Sequence, residues 1–303
     1  MRFGAHVSSS GGISKAIGRG VALGCESLQV FTHNPRTWRP IRHTDEEIAA
    51  FRAGAADAGI APVVSHGLYL INLGAPDREV PTGPPGKPAV AMRNIYRASV
   101  ESLVQHLATG HALGLDGVVL HVGSFKGSTE AESIARIGAG IAEAFDASEG
   151  DCPVFLENTA GAGDTIGRTF AQLRAVADAV GVPQRLAFCL DSQHLFASGY
   201  PIHEDGGIDR VLAEFDEILG MDRLRCLHLN DSKVAFASNR DRHENLGDGE
   251  IGEEGLRRFL AHPDLQGLPV ILEVPGMDGS GPDLENMARA RRLHEEGVAA
   301  RAD

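Results

Sequence analysis

The chain has 303 residues, of which 43% are hydrophobic and 23% charged, and a formal charge of −13 at pH 7. It has no apolar run of 18 residues and no charged-then-apolar N-terminus, which argues against membrane insertion and secretion, so a cytoplasmic protein is expected, nucleoid-associated if the source is bacterial. The acidic balance excludes broad electrostatic adhesion to nucleic acid but leaves DNA open as a substrate if cations concentrate positive charge at one site.

The elements alternate from the start. RFGAHVS reads as a strand, and SGGISKAIGRGVALG after it as a helix with Ile13, Ala16, Ile17 and Val21 on one face. SLQVF precedes a helix over Asp45–Ala58, APVVSH one over Ala91–Leu113, and DGVVLHV one over Glu130–Phe145. PVFLE leads to a helix around Arg168–Val180, RLAFCLD to one around Ile208–Leu219, RCLHLN to one around Glu253–Leu260, and PVILEV to one over Leu284–Glu296. Eight β-rich runs, each followed by a helical period, predict a parallel sheet with right-handed crossovers. The number eight favours a closed α/β fold, a single (β/α)8 TIM barrel spanning 1–303, over an open doubly wound sheet. Two segments fall outside the repeat. APDREVPTGPPGKPAV, Ala75–Val90, is expected as an irregular, mostly exposed insertion in the third βα loop. The loop after the seventh strand is long enough in a compact barrel to be functional. Cys25, Cys152, Cys189 and Cys226 form no C-x-x-C pair and read as reduced core thiols.

Barrel sites lie at the C-terminal ends of the strands, so the residue closing each β run carries information. VVSH ends in His66, VVLH in His121, VFLE in Glu157, FCLD in Asp191 and VILE in Glu273, while HLND carries His228 near its strand's end. His194 follows in a D-x-x-H turn. In D-R-H, extended backbone puts Asp241 and His243 on the same side. Singly, each has an ordinary reading: a strand-end His is usually a satisfied hydrogen-bonding residue, and an acidic one can cap the next helix. Five histidines and four carboxylates on one rim point instead to a site for two or three divalent ions, with O/N donors suiting Zn2+ or Mn2+ rather than Ca2+. The glycines 247, 249 and 252 match G-x-G-x-x-G but follow a loop and not a strand, so the dinucleotide reading fails.

HGLYLINLG, HVGS, LENTAG, CLDSQH, HLNDSK, DRHENLGDGEIG and ILEVPG, with GAHVSSSGG and FTHNPRTW near the N-terminus, resemble the motifs of the endonuclease IV family, the family-2 AP endonucleases or deoxyribonuclease IV. The resemblance implies a xylose isomerase-like TIM barrel holding three zinc ions, with Mn2+ admissible at one position. It implies hydrolysis of the phosphodiester 5′ to apurinic/apyrimidinic sites in double-stranded DNA, leaving 3′-hydroxyl and 5′-deoxyribose phosphate ends, and removal of 3′-blocking groups. By the same resemblance His66, His121 and Glu157 hold one zinc, and Glu157 bridges to a second held by Asp191, His228 and Glu273. His194, Asp241 and His243 hold the third. The resemblance further implies that Glu157 and Glu273 are the catalytic carboxylates and that Arg36, Tyr69, Leu70 and Arg242 contact DNA. Two ions about 3.5–4 Å apart can share a bridging hydroxide, the expected nucleophile. A monomer is expected. The sequence departs from the family pattern in HVGS for HPGS, in Gly67-Leu68 where a polar pair is usual, and in the length of Ala75–Val90. The rival is a single-Mn2+ sugar isomerase or epimerase built on Glu157, Asp191, His228 and Glu273, for which the other five ligand types would be surplus. A non-enzymatic DNA-binding scaffold lacks the basic face it needs.

Overall fold

The computed structural model describes residues 1–82 and 91–302. In chain order, β1 (Arg2–Val7), α1 (Lys15–Ala22), β2 (Ser27–Val30), α2 (Asp45–Ala58) and β3 (Val63–His66) open the fold. A hairpin of β4 (Glu79–Thr82) and β5 (Ala91–Asn94) precedes α3 (Ile95–Leu113). The alternation continues through β6 (Gly117–Leu120), α4 (Glu130–Ala147), β7 (Val154–Glu157) and α5 (Phe170–Val180). β8 (Leu186–Asp191) runs directly into the short α6 (Ser192–Ser198), followed by α7 (Gly207–Leu219) and β9 (Leu224–Leu229). The two-residue strands β10 (Asp231–Ser232) and β11 (His243–Glu244), then α8 (Gly252–Ala261), β12 (Pro269–Leu272) and α9 (Leu284–Ala302), complete the described chain.

Eight strands close a parallel barrel in the order β1, β2, β3, β6, β7, β8, β9, β12, with β12 pairing back onto β1. The protein is therefore a (β/α)8 barrel, and strand alternation divides its residues. Val63, Val118, Val154, Leu190, Leu227 and Leu272 belong to the core formed with the helices. Val64, Val119, Phe155, Cys189, Cys226 and Ile271 form a separate apolar cluster inside the barrel. Two residues further along each of those strands, on the same inward side, stand His66, His121, Glu157, Asp191, His228 and Glu273. The barrel is thus plugged by apolar side chains beneath and carries its polar ones at the C-terminal mouth. All four cysteines are free and buried, as expected of core thiols.

Three departures from the expected elements have local causes. The flanks of the 75–90 segment are not irregular: Glu79 to Thr82 pair antiparallel with Asn94 to Ala91, and Ala75 is buried, whereas residues 83–90 lie outside those described. Helix α3 starts at Ile95 rather than Ala91 because Asn94 caps it, accepting from the Arg97 N–H at 3.0 Å. The seven-residue α6 is too short to show a helical period and is started by Asp191 itself, whose Oδ1 accepts from the His194 N–H at 2.8 Å. Capping and a place in the metal-ligand pattern therefore coincide in one carboxylate.

Candidate metal centre

Glu157, at the end of β7, is fully buried and stands between imidazoles on both sides. Its Oε2 lies 3.3 Å from His66 Nε2 and 3.2 Å from His121 Nε2, while its Oε1 lies 3.0 Å from His228 Nδ1 and 3.3 Å from His194 Nδ1. His228 Nδ1 is also 3.3 Å from Glu273 Oε2 and 3.9 Å from Asp191 Oδ2. Further out, the two oxygens of Asp241 lie 3.4 Å from His194 Nε2 and 3.4 Å from His243 Nε2. Three sets consequently have ligand atoms within 4.8 Å of one another: His66, His121 and Glu157; Glu157, Asp191, His228 and Glu273; and Asp191, His194 and His243. Asp241, 53% exposed, adjoins the third set. The structure brings all nine sequence-predicted residues to one mouth.

The hydrogen bonds around the rings say which nitrogens are available. The Nδ1 of His66 reaches the Gly67 carbonyl at 2.8 Å, that of His194 the Asn158 carbonyl at 3.0 Å, and that of His243 the Glu273 carbonyl at 3.2 Å. His228 Nε2 reaches the Gln29 Oε1 at 2.9 Å. Each of these partners is an oxygen that only accepts, so the ring nitrogen beside it carries a proton and the other is left to take a cation or a second proton. That second nitrogen faces carboxylate oxygens in every case, an arrangement that favours a positive charge between them. The His243 Nε2 is buried and has no hydrogen-bond partner among the described residues. Metal-ligating histidines characteristically donate their remote N–H in this way, which fixes tautomer and ring orientation. The donor set thus fits divalent cations with mixed N/O preference.

Ionisation is consistent with that fit. Burial pushes the Glu157 carboxyl up, but His121 and His228 more than reverse this and hold it well below the usual carboxylate range. Glu273 is held low against its burial, chiefly by His228. Burial opposes the charge on His66, His194 and His228, yet the carboxylates around them raise all three. The carboxylates thus favour positive charge at these three rings, while burial lowers His121 to about 4. A fourth set, Cys189, Cys226 and His228, is also closely spaced, but burial holds the Cys189 thiol well above its usual value and so in the protonated form, which ligates poorly.

Residues 84–296 match a family described as a xylose isomerase-like TIM barrel. A probable endonuclease 4 of Methanoculleus marisnigri is 39% identical over 292 residues, covering 96% of this chain and 98% of that relative. The chain belongs to the endonuclease IV family. The crystal structure of endonuclease IV from Thermus thermophilus superposes with a TM-score of 0.81 at 33% identity, covering 99% of this chain and 100% of that one. A D-tagatose 3-epimerase-like protein, at a TM-score of 0.66 and 14% identity over 99% of this chain and 98% of that one, shares the fold alone.

Within this endonuclease IV family chain, several residues without a place in the sequence-derived set support the nine. Gln29 of β2 donates to Glu273 Oε1 at 2.6 Å while accepting from His228, and the His6 Nδ1 lies 2.9 Å from the same Glu273 oxygen. His6 and Gln29 are register partners on β1 and β2, the two barrel strands that contribute none of the nine. Asn158 pins the Asp191 N–H with its Oδ1 at 2.7 Å, and Asn230 donates to Asp191 Oδ2 at 2.6 Å while accepting from the Glu273 N–H at 3.1 Å. Applying the strand-end test to GAHVS would have flagged His6, whereas Gln29 in SLQV is an amide that the test passes over.

The four residues proposed to meet DNA all reach the rim. Tyr69 is 64% exposed, so it is not core; its ring is 5.8 Å from that of His66. Tyr69 and Leu70 line a cleft of about 310 Å³ with His121, His194 and Asp241. The loop that bears them is tied to the next one by Asn72, whose Oδ1 accepts from the Ser124 N–H at 2.9 Å and whose Nδ2 donates to Ser124 Oγ at 3.1 Å. Arg36 is exposed and lines a different cleft, beside His6 and the Ser8–Gly12 turn. Arg242 is exposed, and its guanidinium folds back to donate to the Asp241 carbonyl at 2.6 Å.

Proposed function

We propose that this chain is a DNA-repair endonuclease that hydrolyses the phosphodiester 5′ to apurinic/apyrimidinic sites in double-stranded DNA, leaving 3′-hydroxyl and 5′-deoxyribose phosphate ends. Three divalent ions, principally zinc, would be held by His66, His121 and Glu157, by Glu157, Asp191, His228 and Glu273, and by His194, Asp241 and His243. The observation that carries the proposal is the set of pinned imidazoles, each with one nitrogen committed to an oxygen acceptor and the other facing a carboxylate, Glu157 for His66 and His228 and Asp241 for His194 and His243. Three of the pinned rings, His66, His194 and His243, lie outside the four residues that a single-ion sugar isomerase would use. When bound, such ions neutralise phosphate charge and acidify water at neutral pH.

The chain's own residues do the rest. Glu157 divides its two oxygens between two groups of imidazoles and so fixes their separation. Gln29 and Asn230 keep Glu273, His228 and Asp191 in one orientation, so the carboxylates need no rearrangement when substrate arrives. An abasic nucleotide has no base to unstack and is the least costly to draw from the duplex, and an inserted aromatic or apolar side chain fills the gap it leaves. Tyr69 and Leu70 take that role, with the sugar entering the cleft beside His121, His194 and Asp241. Arg36 and Arg242 offset backbone charge from neighbouring loops. A blocked 3′ end presents the same ester without a downstream strand, so the same groups would remove it. A single chain contains every residue invoked, and a monomer suffices.

The double substitution Tyr69→Ala with Leu70→Ala is expected to leave the metal content unchanged and to weaken binding to abasic duplex roughly tenfold or more, in line with stacking contributions of about 1–3 kcal/mol per position. Binding to undamaged duplex, measured at the same salt concentration, should change far less. Equal losses on both duplexes would show that the pair supports the fold or contacts the backbone and does not recognise the lesion.

A further inference from the structure

Asp231, the residue after Asn230 in HLNDSK, is a buried carboxylate with no cationic partner among the described residues, and the proposed reaction gives it no task. Its two oxygens accept five backbone N–H groups. Oδ1 takes those of Ser232 at 2.7 Å, Ile251 at 2.9 Å and Gly252 at 3.3 Å, and Oδ2 those of Gly247 at 2.9 Å and Gly249 at 3.1 Å. Four of these donors belong to the turn that ends the loop bearing Asp241 and His243. The loop returns to its own root: Asp231 pairs with Glu244 and Ser232 with His243 between β10 and β11, the Lys233 N–H donates to the Arg242 carbonyl at 2.9 Å, and the Glu250 N–H to that of Ser232 at 2.8 Å. The fit is close, since a Cβ on Gly249 would lie 2.5 Å from the Ser232 carbonyl oxygen and 2.6 Å from Asp231 Oδ1.

A full negative charge is a strong acceptor for several amide dipoles at once, and no other side chain among the described residues accepts from these four amides of the turn. We infer that Asp231 is a positioning residue for the third cation: by gathering the 247–252 turn it holds β11, and with it His243 and Asp241, against Asp191 and His194. The other two ion sites stand on barrel strands and do not depend on this loop. The inference rests on the three-ion reading above.

The test is zinc titration of the chelator-stripped chain in competition with a chromophoric chelator, with native mass spectrometry as the count. In Asp231→Asn, an amide N–H2 is set against backbone donors. Two ions should then bind as in the unaltered chain and the third ten- to a hundredfold more weakly, with excess zinc restoring it. Asp116→Asn is the comparison: Asp116 accepts from the Val63 N–H at 2.8 Å where β3 begins, at the end of the barrel opposite the mouth, so its loss should lower thermal stability without changing the count. Should Asp231→Asn fail to fold, Gly249→Ala, which pushes the turn off the same carboxylate, is measured against the same criteria. Three ions held at unaltered affinity in the folded variant would overturn the inference, as would a weakening of all three in step with stability. Fewer than three ions on the unaltered chain would overturn the three-ion reading itself.

Discussion

Glu157→Gln is expected to reduce single-turnover cleavage of an abasic duplex by at least about a thousandfold, a loss of roughly 4 kcal/mol in transition-state stabilisation. The carboxylate has imidazoles against both oxygens, and an amide offers one acceptor and one donor in their place. It cannot balance two cations, and its N–H2 is set against whichever ligand group it faces. Folding should survive, because β7 is anchored by Phe155 inside the barrel and by Val154 and Leu156 towards the helices. Circular dichroism checks the fold, and near-unaltered cleavage by the folded variant would remove Glu157 from the bridging position.

Exhaustive chelation should bring cleavage to background and lower the thermal midpoint, with both recovered as three zinc ions return per chain. Each site filled to about a thousand times its dissociation constant contributes about 4 kcal/mol to the folded state. The pH dependence follows from the raised His66, His194 and His228. In the ion-free chain these rings hold protons at pH values where free imidazole has begun to lose them. An incoming cation must displace those protons, so binding releases protons and apparent affinity falls as pH is lowered. Calorimetric zinc titrations in two buffers of different protonation enthalpy measure that release. Binding without proton release would mean that the ions sit elsewhere, and full cleavage by an ion-free chain would remove them from the reaction.

The barrel and the mouth residues were legible in the sequence for one shared reason. In a strand of period two, the residue two positions after an inward apolar one is also inward, so VVSH, VFLE and FCLD each announce a side chain at the mouth. What stayed hidden acts through pairing between strands or through backbone groups. Gln29 is not a ligand type, and its contacts with Glu273 and His228 come from elements 244 and 199 residues away. Asp231 reads as one more polar residue in HLNDS, because the amides it gathers lie in a turn that leaves no side-chain signature. The hairpin around 79–94 was obscured by Pro and Gly, which mark irregular backbone more often than paired strands. Tyr69, Leu70 and Arg36 could be placed on rim loops, but their division between two clefts required the folded chain.

The central claim is incision beside a missing base. A duplex carrying one tetrahydrofuran abasic analogue, labelled at the 5′ end of the damaged strand, should be cut by the zinc-loaded chain to a single fragment. That fragment should end in a 3′-hydroxyl at the nucleotide immediately 5′ to the lesion, and the matched undamaged duplex should remain whole. An intact damaged strand in the presence of a chain carrying three ions, or equal cutting of both duplexes, would contradict the account.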